Sequence, residues 1–480
     1  MRFSVILRYM GTVMLCVAGL MAVSAVISLV SNDTGFYPLL LSALLTLLLG
    51  VFPMIFVSKS DSITTKEGFM IVVGSWVLSC VVGMFPYLIW GGEFSLVNAW
   101  FESVSGFTTT GASILTDIEA LPQGLLFWRT ATNWMGGVGV VMFALLILPS
   151  LGTNKMALSG IELSSLAKDN YRYRTQKVVR ILLAIYIGLT VITTLLLKVS
   201  GMRWFDALNH AMSACATGGF STKNASIGFY DSPLIEWILI AVMFISSLHF
   251  GLIYSTFTFK SNNIFRSEVV RVYVAMIVGA TLAIGTSLYF SDTYDNIFTS
   301  LRQSVFQVVS LITTSGFATA NTNLWTPFAI IILIILSIIC GCAGSTSGGA
   351  KVDRVLLYFK VLKARLRGQQ HPNAIIRIRL DGIMQEESQV NTVALFLTTY
   401  FALILVGTLT STLFGMDLLS AFSSSVAFIG NVGPGFGEVG SYDNYAALPS
   451  LLKIQGTVLM LMGRLEIFGF IQFLFIRMWR

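Results

Sequence analysis

Four short stretches of this 480-residue chain end an amphiphilic run in small or hydroxyl-bearing residues and glycine. They are NAWFESVSGFTTTGAS (98–113), RWFDALNHAMSACATGGFST (203–222), NIFTSLRQSVFQVVSLITTSGFAT (296–319) and MDLLSAFSSSVAFIGNVGPGFG (416–437). Aligned, they place Gly111, Gly219, Gly316 and Gly433 in one column. The chemistry such segments can do is ligation. An extended run of small residues can turn successive main-chain carbonyls toward an axis, where they replace the hydration shell of a cation. Glycine leaves room where backbones crowd and reaches φ > 0. A short helix ahead of each glycine would aim its negative C-terminal end at the same centre. For a single motif the competing reading is close helix packing through small residues. Fourfold recurrence, each time between two apolar runs, favours a ring.

A second stretch, IICGCAGSTSGGAKVDR (338–354), interrupts an apolar run with Gly341, Gly344, Ser345, Thr346, Ser347, Gly348 and Gly349. Gly344 and Gly349 have the spacing of a phosphate loop, but Ala350 stands before Lys351 and Val352 follows it, so G-x-x-x-x-G-K-[ST] is not met. Ser345 and Ser347 do not fit G-x-S-x-G. The three histidines, His210, His249 and His371, supply no H-E-x-x-H, and after the serines only His371 remains, in the basic inner segment. An enzyme is not expected, and no organic cofactor. Small polar residues halfway along a span, below the third glycine, read instead as a movable obstruction in an aqueous path. The competing reading is a static kink. Arg464 lies deep in the last apolar run, where a basic side chain costs about 2.5–3.5 kcal/mol unless it faces protein or water. It is expected to add a positive charge to that gate. Glu466 lies two residues on, so the pair does not share a helix face. Arg129, Lys453 and Arg302 are given no role beyond snorkelling or an ion pair with an outer acid.

These residues are set within a very apolar chain. It is 55% hydrophobic and 11% charged, with a mean hydropathy of +0.79; soluble domains are about 25% charged. Ten apolar runs are spans: Tyr9–Val30, Leu39–Val57, Met70–Trp90, Leu121–Leu148, Val179–Leu197, Leu234–Phe257, Val269–Tyr289, the interrupted Pro327–Leu366, Val390–Leu413 and Leu448–Phe475. With both termini in the cytoplasm most lysines and arginines fall on the inner side, as the positive-inside rule requires. The net charge of +7 is therefore a topology signal, and nucleic acid is not needed to explain it. The five cysteines form neither a disulfide framework nor a zinc spacing.

The expected fold is thus an all-α polytopic membrane protein. Four span–pore helix–span repeats surround a pseudo-fourfold pore, behind two extra N-terminal spans. The boundaries are 1–60 for the extra spans, then 61–160, 161–262, 263–385 (with the intramembrane loop at 340–350) and 386–480. A break in one span is expected in the third repeat alone.

At this point the four segments in register, with TTTGA, TGGF, TSGF and NVGP at their centres, resemble the Trk/Ktr/HKT superfamily of potassium transporters. The two extra spans and the chain length are similar to its TrkH branch. The resemblance covers essentially the whole chain. It implies potassium uptake across a bacterial inner membrane by a multi-pass protein. It implies a filter made by the main-chain carbonyls of Thr108, Thr109, Thr110 and Gly111; Ala216, Thr217, Gly218 and Gly219; Thr313, Thr314, Ser315 and Gly316; and Gly430, Asn431, Val432 and Gly433. Glycine in all four repeats resembles the potassium-selective pattern. The fourth repeat departs most, with Asn431 in place of threonine and Pro434 after the glycine. The resemblance also implies a gate at Gly341–Gly349 beside Arg464, and a homodimer on a tetrameric cytoplasmic ring of nucleotide-binding regulatory subunits. The basic segment after the gate could dock that ring or anionic lipid. The alternatives are a K⁺/H⁺ or K⁺/Na⁺ symporter on the same scaffold, and a receptor or scaffold with a vestigial pore.

Overall fold

A computed structural model describes residues 2–58, 64–146, 175–257, 263–371 and 377–474. Several of the inner basic residues, among them Lys59, Lys155, Lys168, Arg172, Arg174, Lys260, Arg477 and Arg480, lie outside the described residues. Each of the ten apolar runs contains a helix. In chain order these begin with α1 (Phe3–Val30) and α2 (Phe36–Phe56), which pack as an antiparallel pair at one side. The first repeat is α3 (Thr65–Gly83) with its short continuation α4 (Phe85–Trp90), α5 (Leu96–Phe107) and α6 (Gln123–Leu146). The second is α7 (Thr175–Val199), α8 (Trp204–Ala216), α9 (Pro233–Ser246) and α10 (Phe250–Phe257). The third is α11 (Glu268–Phe290), α12 (Ile297–Ile312), α13 (Pro327–Ile339) and α14 (Val352–Gln370). The fourth is α15 (Glu387–Leu413), α16 (Leu418–Gly430), α17 (Ser450–Arg464) and α18 (Ile467–Leu474). A two-residue hairpin, Arg379–Leu380 with Ile383–Met384, is the one sheet among the described residues.

Among the described residues six helices are long and apolar enough to cross a membrane. Two more runs, taken above as single spans, are bent pairs: α9 and α10 meet at 100°, and α17 and α18 at 112°. A break confined to the third repeat was the expectation; three repeats are broken. The sequence hides the other two because Ser247–His249 and Leu465–Glu466 interrupt their helices without a glycine cluster or a proline. Both bends lie against the glycine-rich loop of the third repeat.

The four short helices α5, α8, α12 and α16 are 12 to 16 residues long, below the ~20 needed to span. Each stops because its C-terminus turns left-handed. Thr109, Thr217, Thr314 and Asn431 have φ of 53°, 53°, 60° and 53°. The next N–H then reaches back over the last turn: Thr110 to Ser105 O, Gly218 to Ser213 O, Ser315 to Ser310 O and Val432 to Ala427 O, at 2.8–2.9 Å. That six-to-one bond is the Schellman closure, and it occurs once in each repeat at the same column. The repetition read from four glycines therefore holds for main-chain geometry as well.

Candidate functional site

The four helix ends converge on one ring. Gly111, Gly219, Gly316 and Gly433 all have positive φ, at 80°, 73°, 71° and 100°. A methyl group on Gly111 would overlap the carbonyl oxygen of Gly218; on Gly219, that of Ser315; on Gly316, that of Val432; and on Gly433, that of Thr110. Each glycine thus faces the carbonyl just ahead of the next repeat's glycine, and the fourth faces the first. The circuit closes. At all four positions the neighbour is backbone, which cannot swing aside as a side chain can. The column needs glycine for space and for φ together.

The outer loops close a second circuit above the first. Ile118 N–H donates to Asn224 Oδ1 (2.7 Å), joining repeats one and two. Gly228 N–H donates to Ala318 O (3.0 Å), joining two and three. Ser441 Oγ donates to Ala320 O (3.0 Å), joining three and four. Tyr445 N–H donates to Ser113 O (2.8 Å), joining four and one. The mouth they surround is a cavity of about 100 Å³ lined by all four glycines. Asp443 is in its lining, and Asp117 lies one residue from the lining residue Ile118. Asp117 is held below the usual carboxylate range by the Asn224 amide that donates to it.

Arg129 and Lys453 do not snorkel. Arg129 is 1% exposed and forms an ion pair with the fully buried Glu102 at 2.8 Å. It also donates to Ser221 O (3.3 Å) and Ser113 Oγ (3.2 Å) and lies 4.1 Å over the Phe220 ring. It therefore ties the first pore helix to the chain just beyond the glycines of repeats one and two. Lys453 Nζ donates to Asn98 Oδ1 and Ala446 O, both at 2.8 Å, inside the protein. Hydropathy placed both near span ends; the pairing partners, more than 25 and 350 residues away in sequence, were not visible there. Arg302 meets Glu236 at 3.4 Å, the expected ion pair.

Directly beyond the ring lies the glycine-rich loop. It leaves and rejoins its span at one place: Ala350 N–H donates to Ile338 O (3.3 Å), Lys351 N–H to Ile339 O (2.7 Å) and Val352 N–H to Gly341 O (3.0 Å). Thr346 lies against repeat two, 3.2 Å from Thr217 Oγ1. Thr314 Oγ1 donates to Ser347 Oγ and accepts from Gly348 N–H, both at 3.2 Å, in repeat three. A methyl group on Gly348 would overlap Gly430 O of repeat four. Repeat one is reached through Arg464, whose Nη1 donates to Thr346 O (2.7 Å) and whose Nη2 donates to Gly136 O of α6 (3.3 Å). Arg464 is the last residue of α17, at the bend, and is 5% exposed. The other bend also holds the loop: Cys342 N–H donates to Ser247 O (3.1 Å) and Phe250 N–H to Gly344 O (3.2 Å).

The composition of the loop suggested slack backbone. The structure shows tight packing instead. Ser345, Thr346 and Ser347 are at most 2% exposed. Gly341 is against Ser347, Gly344 against His249, and Gly349 against Cys340, at distances where a Cβ would clash. Ser347 Oγ accepts from Gly341 N–H (3.1 Å), and Ser345 Oγ accepts from Ser347 N–H (3.2 Å). The glycines serve close approach here as much as freedom. Glu466, read above only as not facing Arg464, pairs with Lys351 (3.1 Å) and Arg354 (2.7 Å), where the loop returns to helix. The sequence signal was available: an acid two residues from an intramembrane arginine, and two bases just after the break.

Fold and site together define the class: a helical, multi-pass membrane transport protein with bent helix pairs. The chain belongs to the TrkH family of cation transport proteins, whose model matches residues 42–478; it is not an enzyme. It is 35% identical over the full length of both chains to the Trk system potassium uptake protein TrkH of Salmonella typhimurium. It is 34% identical, also over both full lengths, to the protein of that name from Escherichia coli strain K12. Its structure matches the crystal structure of the potassium transporter TrkH from Vibrio parahaemolyticus with a TM-score of 0.90, at 31% identity and full coverage of both chains.

Proposed function

We propose that this chain is the potassium-translocating subunit of a bacterial Trk uptake system, crossing the inner membrane ten times with both termini in the cytoplasm. The ion passes along the axis of the ring. The main-chain carbonyls of 108–111, 216–219, 313–316 and 430–433 take the place of its water shell. The loop 341–349 is the gate, held under the ring by Arg464, whose charge repels a cation on the same path. What supports this reading most is the closure of the circuit, glycine against carbonyl, through all four repeats in order. The full-length relatives named as potassium uptake proteins supply the ion. The gate reading is supported by the loop's contacts with the helix ends of repeats two, three and four and, through Arg464, with repeat one. α14 leaves the loop directly as a basic helix, a lever on which a cytoplasmic partner could pull. A homodimer bound to a tetrameric nucleotide-binding ring is the assembly this reading expects.

The test is flux. Purified protein in liposomes should carry K⁺ or Rb⁺ down a gradient, with more flux once the cytoplasmic fraction is added. Absence of flux under both conditions would contradict the proposal. Flux that stops when a proton or sodium gradient is removed would replace it with coupled symport.

A further inference from the structure

The fourth repeat lacks the hydroxyl pair and the glycine N–H return that hold repeats one and three in shape. In repeat one Thr108 Oγ1 meets Thr110 Oγ1 at 2.8 Å, and in repeat three Thr313 Oγ1 meets Ser315 Oγ at 2.9 Å. In those two repeats the glycine N–H also returns to the helix, from Gly111 to Ser105 O (3.5 Å) and from Gly316 to Ser310 O (3.2 Å). Repeat two has Ala216 and Gly218 at the hydroxyl positions. There His210 Nε2 lies 2.9 Å from Ser221 Oγ, and Arg129 donates to Ser221 O, so the segment is held just beyond its glycine. Repeat four has Gly430 and Val432 at the hydroxyl positions, and Pro434 follows with no N–H to donate. Gly433 also has the largest φ of the four, 100°.

Ahead of the glycine, Asn431 Nδ2 donates to Thr110 Oγ1 and to Met460 O, both at 3.0 Å; at the glycine itself a tyrosine does the holding. Tyr445 Oη donates to Gly433 O at 2.8 Å, while its own N–H donates to Ser113 O of repeat one at 2.8 Å. The residue is 2% exposed, and its ring packs on Phe428 (5.0 Å between centroids) and Phe101 (5.7 Å), which belong to the pore helices of repeats four and one. It is thus anchored at its backbone, its ring and its hydroxyl.

We infer that Tyr445 is a positioning residue for ion selection: its hydroxyl fixes the Gly433 carbonyl, and with it the fourth side of the ring. This rests on the filter reading above. A ring of fixed size cannot contract around the smaller Na⁺. Without the hydroxyl, the Gly433–Pro434 peptide can turn, and the fourth side loses its fixed position. Tyr445→Phe removes the hydroxyl and keeps the packing ring, so it isolates the bond.

The experiment compares wild type, Tyr445→Phe and Gly316→Ser in liposomes. It reads Rb⁺ and Na⁺ flux separately, together with the thermal unfolding midpoint. Tyr445→Phe should raise Na⁺ flux relative to Rb⁺ by about two- to tenfold, the span one hydrogen bond is worth, with Rb⁺ flux and the midpoint near wild type. An unchanged ratio in Tyr445→Phe, beside a changed one in Gly316→Ser, overturns this inference and leaves the filter reading standing. A Tyr445→Phe protein that no longer folds also overturns it, because the role is then structural. Equal Rb⁺ and Na⁺ flux in the wild type overturns both.

Discussion

At the scale of single residues, the left-handed threonines are the most informative. Thr109, Thr217 and Thr314 are β-branched, and that class rarely takes φ > 0; the conformation costs about 1–2 kcal/mol per residue. Glycine would relieve it. Two of the three hydroxyls are in use, since Thr217 and Thr314 meet the glycine-rich loop. Thr109 Oγ1 is buried with no hydrogen-bond partner among the described residues. Strain kept where a side chain has a task is the pattern of a functional position. The glycines next to them allow a sharp prediction. Gly316→Ser places a side chain against Val432 O at a positive φ. Discrimination between K⁺ and Na⁺ should fall, measured as the flux ratio in liposomes, and an unchanged ratio would remove Gly316 from the filter. The Arg129–Glu102 pair makes a stability prediction. Glu102→Gln leaves a buried guanidinium without its counter-charge, so heat unfolding in detergent should show a loss of about 3–5 kcal/mol. A midpoint within a degree of wild type would mean that Ser113 and Ser221 suffice for Arg129. The glycine column and Arg464 were legible in the sequence because each is a rare event at its place: glycine in register four times, or a base within an apolar run. Arg129 and Tyr445 were not, since their roles depend on partners that only the closed ring brings near; Glu466 lay between, with a signal in its neighbours but partners more than 100 residues away.

At the scale of elements, the four short helices were readable from length and from the glycine after each. Their closure by a Schellman turn was not, because threonine and asparagine stand where glycine usually signals it. The bends in the second and fourth repeats were equally hidden. A span that breaks to receive another element carries no local mark. These bends surround the glycine-rich loop, and the proposal that it is a gate makes a prediction. Its ends already meet through Ile339 and Lys351, so deleting 341–349 can be sealed without moving α13 or α14. Basal Rb⁺ flux into liposomes without any partner should rise. Arg464→Ala releases Thr346 O and removes the positive charge, and should raise the same flux to a smaller extent. Flux that falls or stays level in both variants would make the loop a brace for the ring and not its gate.

At the scale of the whole molecule, the chain is one ring made four times from diverged sequence. Hydropathy and repetition gave the number of repeats and their order. They could not give the direction of closure, in which each glycine faces the carbonyl of the next repeat, because that depends on how the helices cross. The asymmetry has the same origin. Repeat three carries the loop, repeats two and four bend around it, and repeat one is reached through Arg464. That division is what the proposal of a fourfold ring with one moving part rests on. The most direct test is the flux ratio of K⁺ to Na⁺ in four parallel variants, Gly111→Ser, Gly219→Ser, Gly316→Ser and Gly433→Ser, reconstituted in liposomes. A ring closed through all four repeats predicts that every one of them loses discrimination. A single variant that keeps the wild-type ratio would show that its repeat does not help to bind the ion.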